Sequence, residues 1–412
     1  MERSLTLSGF TVPRALSFLS GLGMIIASVL TVDHYFAANF PETIFEGSFC
    51  DINAFFNCDS SAFASISQFK GVPLGYLGLI VGGLVALGAL FPSKGFERSN
   101  KSISLLNVLG VVALLLYSVF VLGSLCLLCS GFYLFSIISF LLFWRFGIDG
   151  EAKGLFGKWV RPSPLHLVTY AAVAAVGAYG FAAFHDAKED AQTGGVAHRI
   201  VDQYFSLPEV ELPSFLSPLW SVRSTENFQD APVQIVEYGD LLCPDCKFLA
   251  DQIHRLDEEF PGMINVAYQL FPLEGVCNDV VEKDLHPGAC GMSYFAAYDP
   301  EKFGAIHDEI WDAWPEPRNE EWRQQLARRH GVEAGLTDPQ TQELVQRMIQ
   351  TGKEYEKTSD QFSYGIRSTP TMILNGRMVI GTLPYEQLKA IVEAIISQAE
   401  GGDRFLEAWE RR

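Results

Sequence analysis

The stretch GSLCLLCSGFYLF, Gly123–Phe135, sets two cysteines three positions apart inside sequence that otherwise reads as lipid-facing helix. It lies in a run from Ser102 to Trp144 with no charged residue over 43 positions. As one helix that run would be roughly 65 Å long at 1.5 Å per residue, about twice the hydrocarbon thickness of a bilayer. The run must therefore fold back near its middle. Gly123 and Ser124 supply turn residues there, just before Cys126. Cys126 and Cys129 are thus expected at a membrane surface and not at mid-bilayer.

Further uncharged runs lie on either side: Ala15–Val32, Gly71–Ser93 and Leu165–His185. These predict spans at about 15–36, 72–92, 102–123 and 127–145 and a fifth at about 165–185. The cations set their direction. Arg3 and Arg14, then Lys94, Arg98 and Lys101, then Arg145, Lys153, Lys158 and Arg161 fall in alternate connections, which the positive-inside rule places in the cytoplasm. The loop 38–70 carries only Lys70 against Glu42, Glu46, Asp51 and Asp59 and faces outward. So do the 126–129 turn and everything after the fifth span. The first span is expected to stay uncleaved, because no small-x-small site directly follows Val32.

Charge divides the chain again. Up to Asp190, Lys and Arg number 11 against 12 Asp and Glu, whereas beyond it they number 19 against 36, so nearly all of the overall −18 sits in the second half. An apolar, almost neutral half precedes an acidic, soluble-looking one. That acidity excludes a nucleic-acid partner, which would call for clustered Lys and Arg.

All eight cysteines, Cys50, Cys58, Cys126, Cys129, Cys243, Cys246, Cys277 and Cys290, fall on or border the outer side of this topology. An even number on the oxidising side points to dithiol and disulfide chemistry. A four-cysteine zinc site would need its two Cys-x-x-Cys pairs presented together. Here they are more than 100 residues apart with a span between them, so no metal is expected.

After a polar linker at about 186–228, VQIVEY (Val233–Tyr238) reads as a buried strand and DLLCPDCKFLADQI (Asp240–Ile253) as a loop entering a helix. Pro244 suits the first helical turn and puts Cys243 at the helix N-terminus. Unpaired N–H groups and the helix dipole favour a thiolate there. Cys243 is thus the expected nucleophile and Cys246 its buried resolving partner. Further on, RSTPTMILNGRMVIGTLP (Arg367–Pro384) places an Asn375-Gly376 turn between two short strands, a strong hairpin signal, with Pro370 just ahead of the first.

Together these motifs resemble the thioredoxin fold. Helix-like NEEWRQQLARRHG and DPQTQELVQRMIQTGKEYEK fill the long gap between Cys246 and Pro370, as in its DsbA-like branch with a helical insertion. The resemblance implies a cis Thr369–Pro370 bond facing the cysteines, with the Thr369 backbone pairing an extended substrate peptide. It makes Glu237, six residues before Cys243, a candidate proton relay for the resolving cysteine. Asp245 departs from the histidine often found before the second cysteine. It is expected to raise the thiol pKa and make the pair less oxidising than the strong extreme of about −120 mV. Cys277 and Cys290 lack Cys-x-x-Cys spacing and are expected to form a structural disulfide, a third relay being the alternative; His286 between them receives no chemistry.

In the apolar half, a loop pair Cys50/Cys58 is followed by GVP (Gly71–Pro73) entering a span and then by Cys126-x-x-Cys129. This order resembles the vitamin K epoxide reductase family, including bacterial members fused to a thioredoxin-like domain. By that resemblance Cys50/Cys58 is a shuttle pair, Cys126/Cys129 the membrane pair with Cys129 nearest a quinone, and Tyr133 a residue near the quinone head group. The family's hydroxyl six residues after the second loop cysteine falls here on Ala64, which leaves Ser65 as a weak candidate.

The expected fold class is multi-domain: an α-helical membrane bundle over 1–150, a cytoplasmic loop, fifth span and linker over 151–228, an α/β thioredoxin-fold domain with a helical insertion over 229–400, and a tail at 401–412. The resemblance implies a quinone-dependent disulfide oxidoreductase in the bacterial inner membrane, with a cytoplasmic N-terminus and a periplasmic thioredoxin-like domain. Its expected partners are reduced exported proteins, ubiquinone or menaquinone, and the lipid bilayer. Quinone-linked oxidation of a small dithiol donor and reductive disulfide isomerisation are the alternatives.

Overall fold

The computed structural model of the chain describes residues 6–7, 10–39, 55–69, 72–90, 94–146, 164–281, 284–355 and 365–399. Cys50, most of the expected cytoplasmic loop and the tail lie outside the described residues. The chain divides into two compact units, Met1–Ala37 with Phe56–Ala191, and Ala38–Phe55 with Gln192–Arg412.

In the first unit, helices α1 (Val12–Asn39), α2 (Asp59–Phe63), α3 (Gly75–Leu90), α4 (Lys94–Tyr117) and α5 (Leu127–Leu141) precede α6 (Pro164–Ser206), which runs into the second unit. Among the described residues, three helical stretches are long and apolar enough to cross a membrane: Val12–Asn39, Asn100–Leu122 and Leu127–Trp144. Helix α3 is a shorter apolar helix of 16 residues, and the expected fifth span falls in α6. Large apolar side chains point outward, with Leu106 69% and Phe120 71% exposed. A soluble bundle would present polar residues there; hydrocarbon suits these side chains. Where α1 meets α3 the backbones approach closely: a Cβ on Gly21 would come within 2.8 Å of the Ala86 nitrogen. Small residues permit such contact where lipid gives no hydrophobic drive for association.

The fold-back expected inside the uncharged run is present. After a π-helical turn at Ser118–Leu122, Gly123 takes φ 64°, a left-handed conformation that glycine adopts without strain. Cys126 is the N-cap of α5, so Cys129 stands within the first helical turn and not in the turn itself.

The second unit is built on strands β1 (Trp220–Arg223), β2 (Val233–Gly239), β3 (Ile264–Leu270), β4 (Thr371–Leu374) and β5 (Arg377–Ile380), with helix α7 (Pro244–Glu259) between β2 and β3. The sheet order is β1-β3-β2-β4-β5. β2 and β3 run parallel, and the remaining neighbours are antiparallel. Helices α8 (Ala289–Ala297), α9 (Phe303–Asp312), α10 (Glu320–His330) and α11 (Pro339–Glu354) form the insertion, and α12 (Tyr385–Ala399) closes the chain. Strand β2 sits centrally and its side chains divide between two cores. Val233 and Ile235 join α7 and α12, while Val236 and Tyr238 join α8, α9 and α11. This is the period-2 alternation of a strand covered on both faces.

The β4–β5 hairpin turns at Asn375 (φ 40°) and Gly376 (φ 78°), the paired positive values a two-residue turn needs. The Asn375 side chain also accepts from the Gln234 N–H at 2.8 Å and donates to the Pro232 carbonyl at 2.8 Å, tying the turn to β2.

The segment 186–228 departs from the expected polar linker. Helix α6 continues to Ser206, and its Ile200, Val201 and Tyr204 are buried in the core beside α12, with the Tyr204 hydroxyl bonded to the Leu374 carbonyl at 2.7 Å. β1 then joins the sheet edge. The helical spacing of Ile200, Tyr204 and Leu207 marks an amphipathic face, outweighed in a composition reading by the polar residues around it.

Candidate functional site

Cys243 caps the N-terminus of α7, and Pro244 fills the first helical position, where its missing N–H costs nothing. Both Cys243 and Cys246 are free thiols and buried. The Cys243 Sγ lies 3.4 Å from the Thr369 carbonyl oxygen, and Thr369–Pro370 is cis. The tertiary fold thus brings the motif at 243–246 against residues 126 positions away in sequence. The Cys246 Sγ accepts from the Asp240 N–H at 3.4 Å.

Two acids lie beneath this pair. Glu237 is 1% exposed, and neither carboxylate oxygen finds a hydrogen-bond partner among the described residues. Burial, reinforced by the charge on Cys243, pushes its carboxyl up to about 8. Asp240 is fully buried and well partnered: it accepts from the Leu242 and Leu273 N–H groups at 2.7 Å each, and its Oδ2 is 2.8 Å from His286 Nδ1. Burial raises the Cys243 thiol, but the Cys246 hydrogen bond and the His286 charge outweigh it and bring Cys243 down to about 6. Burial and the neighbouring Cys243 thiolate raise Cys246 well above the ordinary range. Nucleophile and resolving thiol are therefore divided as the helix position alone suggests.

The carboxylate that opposes the Cys243 thiolate belongs to Asp240, and His286 outweighs it. Arg318 faces Cys243, Asp245 and Asp240 together; burial lowers it only to about 10, so it stays cationic at neutral pH. Cys277 and Cys290 form a disulfide.

In the first unit, a cavity of about 620 Å³, its mouth included, touches Cys58, Cys126, Cys129 and Tyr133. Cys58 is disulfide-bonded, and its expected partner Cys50 lies outside the described residues. Cys126 and Cys129 are free, and the Cys126 Sγ accepts from the Cys129 N–H at 3.2 Å. Ser65 is exposed and does not line the cavity; the neighbouring hydroxyls that do are Ser61 and Ser67. His34 also lines it and pairs with Asp59 at 3.0 Å, directly after Cys58. Among the described residues no cluster of His, Cys, Asp and Glu could hold a metal ion.

Residues 14–144 match the vitamin K epoxide reductase family, and residues 228–394 match the thioredoxin family model. The chain joins a vitamin K epoxide reductase domain to a thioredoxin-like domain. Among curated relatives, Disulfide bond formation protein D of Bacillus subtilis (strain 168) is 25% identical over 178 residues, 40% of this chain and 72% of that protein. Probable disulfide bond formation protein D of Bacillus anthracis is 30% identical over 106 residues, 25% of this chain but only 45% of that protein. Among solved structures, oxidised BdbD from Bacillus subtilis is 19% identical, covering 41% of this chain and 89% of that one, with a TM-score of 0.32.

Three residues of these domains escaped the sequence. His286 and Arg318 reach the thioredoxin-like site from the helical insertion, where no motif spacing points to them. His34 carried a signal: it is an ionisable residue in a span, two positions past an uncharged run that ended at Val32.

Glu237 makes its own test. Unfolded, it ionises near the ordinary 4.5, whereas folded it keeps its proton to about 8. Between those values the folded state binds more protons, so this residue's contribution to stability falls as pH rises, by at most about 1.4 kcal/mol per pH unit. Glu237→Gln is expected to abolish that slope. Denaturant unfolding of wild type and variant at pH 5 and pH 8 isolates the difference. Equal slopes in the two proteins would mean that Glu237 is ionised in the fold.

Proposed function

We propose that the chain is a membrane-bound thiol oxidase that generates disulfides in exported proteins and delivers the electrons to a membrane quinone. The observation that carries this reading is the single cavity that touches Cys58, Cys126, Cys129 and Tyr133. A loop disulfide and a free membrane dithiol share one space with a phenol, in a unit whose outer surface is apolar. The cavity residues fit a quinone ring, with apolar walls such as Leu74, Leu114 and Leu122 and a hydroxyl at Tyr133. Ubiquinone or menaquinone, when bound, supplies a lipid-soluble acceptor of two electrons and two protons.

A substrate thiolate attacks Cys243 in the Cys243–Cys246 disulfide and releases Cys246 as thiolate. Cys246 has a high proton affinity in its site and takes up a proton, with Glu237 as the nearby donor. A second substrate thiol then displaces Cys243, which leaves readily because its thiolate is stabilised. The substrate departs oxidised by two electrons and the site holds a dithiol. By the same exchange Cys243 attacks the Cys50–Cys58 disulfide, re-forming Cys243–Cys246 and leaving the loop pair reduced. That pair reduces Cys126–Cys129, and Cys129 passes the electron pair on while closing its disulfide with Cys126. Thr369, through its backbone beside Cys243, aligns the substrate peptide. Stabilisation of the reduced Cys243 makes the pair oxidising, which favours this direction over reductive isomerisation. The curated relatives named above are disulfide bond formation proteins, in keeping with this reading. It places the protein in the bacterial inner membrane with the thioredoxin-like domain outside.

The test is anaerobic addition of quinone to the reduced, detergent-solubilised protein. Thiols at each cysteine pair are then followed by mass spectrometry. Loss of thiols at Cys126/Cys129, at Cys50/Cys58 and at Cys243/Cys246, with one quinone consumed per disulfide, is expected. Retention of all thiols in the presence of quinone would sink the proposal.

A further inference from the structure

The thioredoxin-like site has an acid, Asp245, between its cysteines, yet Cys243 is the thiolate-forming sulfur. Beyond the Cys246 hydrogen bond within the motif, a positive charge from elsewhere in the fold adds to that stabilisation. His286 lies 43 positions beyond Cys243, and it is buried with its Nδ1 on the Asp240 carboxylate. Asp240 is in turn wired into the redox motif: its N–H donates to Cys246 Sγ at 3.4 Å, and its carbonyl accepts from the Cys243 N–H at 3.0 Å. Asp240 therefore holds the imidazole in place, and the imidazole's charge acts on Cys243 against that of Asp240 itself.

The segment that delivers His286 is held at several points. Cys277 and Cys290, 13 positions apart, close it as a disulfide. The Glu274 carboxylate accepts from the Gly288 and Cys290 N–H groups at 2.8 Å each, and the His286 N–H donates to the Leu273 carbonyl at 3.2 Å. A closed loop and a carboxylate clamp thus restrain one side chain among very few in this segment that carry a titrating cation near the thiols.

We propose that His286 is a positioning residue for the thiol chemistry, setting Cys243 as the thiolate from its place on Asp240, and that the Cys277–Cys290 disulfide serves the reaction by holding His286 in place. This rests on the reading of Cys243/Cys246 as the substrate-facing pair and deepens it. The other groups facing Cys243 are accounted for. Asp240, just past the end of β2, and Glu237 on β2 oppose its charge, as does Tyr268 from β3 if ionised; Cys246 from α7 donates to it, and Arg318 from the insertion adds positive charge. Burial works against a charged imidazole, but the Asp240 carboxylate overrides it and keeps His286 above its ordinary value.

The experiment is the pH profile of iodoacetamide alkylation at Cys243 in the full-length, detergent-solubilised protein, read by peptide mass spectrometry after brief reduction. The same spectra report whether Cys277–Cys290 is intact. His286→Asn can keep a hydrogen bond to Asp240 without the charge. It is expected to move the Cys243 midpoint up by about one pH unit or more, roughly a fivefold loss of thiolate at pH 6. The Cys277→Ala/Cys290→Ala double variant is expected to shift it in the same direction. An unchanged midpoint in a folded His286→Asn protein overturns the proposal and leaves His286 a packing residue. If that variant loses cooperative melting, the wild type decides: a Cys243 midpoint at or above the free-cysteine value of about 8.5 overturns the proposal, and one well below it supports it. Alkylation needs no quinone, so failure of the quinone-linked function would leave this profile intact.

Discussion

Cys129→Ala is expected to stop electron delivery to quinone, with the rate falling by at least about 10³-fold, as when a nucleophile that forms a covalent intermediate is removed. Without Cys129 the membrane site has no disulfide, so Cys126 cannot accept the electron pair from the reduced loop thiols. Adding a reduced substrate should then leave Cys243/Cys246 and Cys58 reduced, a state that alkylation and mass spectrometry count directly. The domain should keep its fold, since Cys129 is only partly buried and the helix cap at Cys126 accepts from the Cys129 backbone N–H, which alanine retains. Quinol formation at the wild-type rate would remove the membrane pair from the pathway. It would favour instead a membrane-anchored module whose cysteines are structural.

Cys243→Ser separates the two domains. Oxidation of a reduced, unfolded protein substrate should fall to background, again by at least about 10³-fold, because the hydroxyl neither forms the mixed disulfide nor leaves as a thiolate would. A small dithiol such as dithiothreitol should still support quinone reduction, since it can reduce the vitamin K epoxide reductase domain without the thioredoxin-like one. Quinol formation with each donor, measured in parallel, gives the ratio. Equal loss with both donors would mean that every electron must pass Cys243. Equal retention would mean that the thioredoxin-like domain is not the donor and that a small thiol is the natural substrate.

Much of the architecture was legible because the relevant signals are local. The uncharged run Ser102–Trp144 is too long for one span, so length alone required the fold-back that now carries Gly123 and Cys126. Asn375-Gly376 announced its hairpin because few other pairs tolerate positive φ at both positions. Pro244 after Cys243 marked a helix start for a similar steric reason. The 186–228 segment differs from a polar linker because its apolar residues, interleaved with polar, Gly and Pro residues, find partners in the fold. Their burial depends on α12 and the sheet, which composition does not contain.

The site was legible only in part. Cys243 against Thr369 was anticipated through resemblance to a fold, and the 3.4 Å approach is a property of the sheet that sets β2 beside β4. Ser65 was a weak candidate by resemblance, next to the position of the family's hydroxyl, yet it is exposed while Ser61 and Ser67 line the cavity. His286 is the clearest case. Coulomb energy depends on distance through space and on the dielectric between charges. A buried imidazole from a distant loop, fixed on Asp240, therefore acts on Cys243 although it is far from it in sequence. By itself the sequence determined which residues could carry redox chemistry and where the apolar, membrane-like stretches lie, because hydrophobic length and motif spacing are local quantities. Which distant groups surround the Cys243 thiolate, only the tertiary structure decided, because burial and the approach of charges 40 or more residues apart exist only in the folded chain.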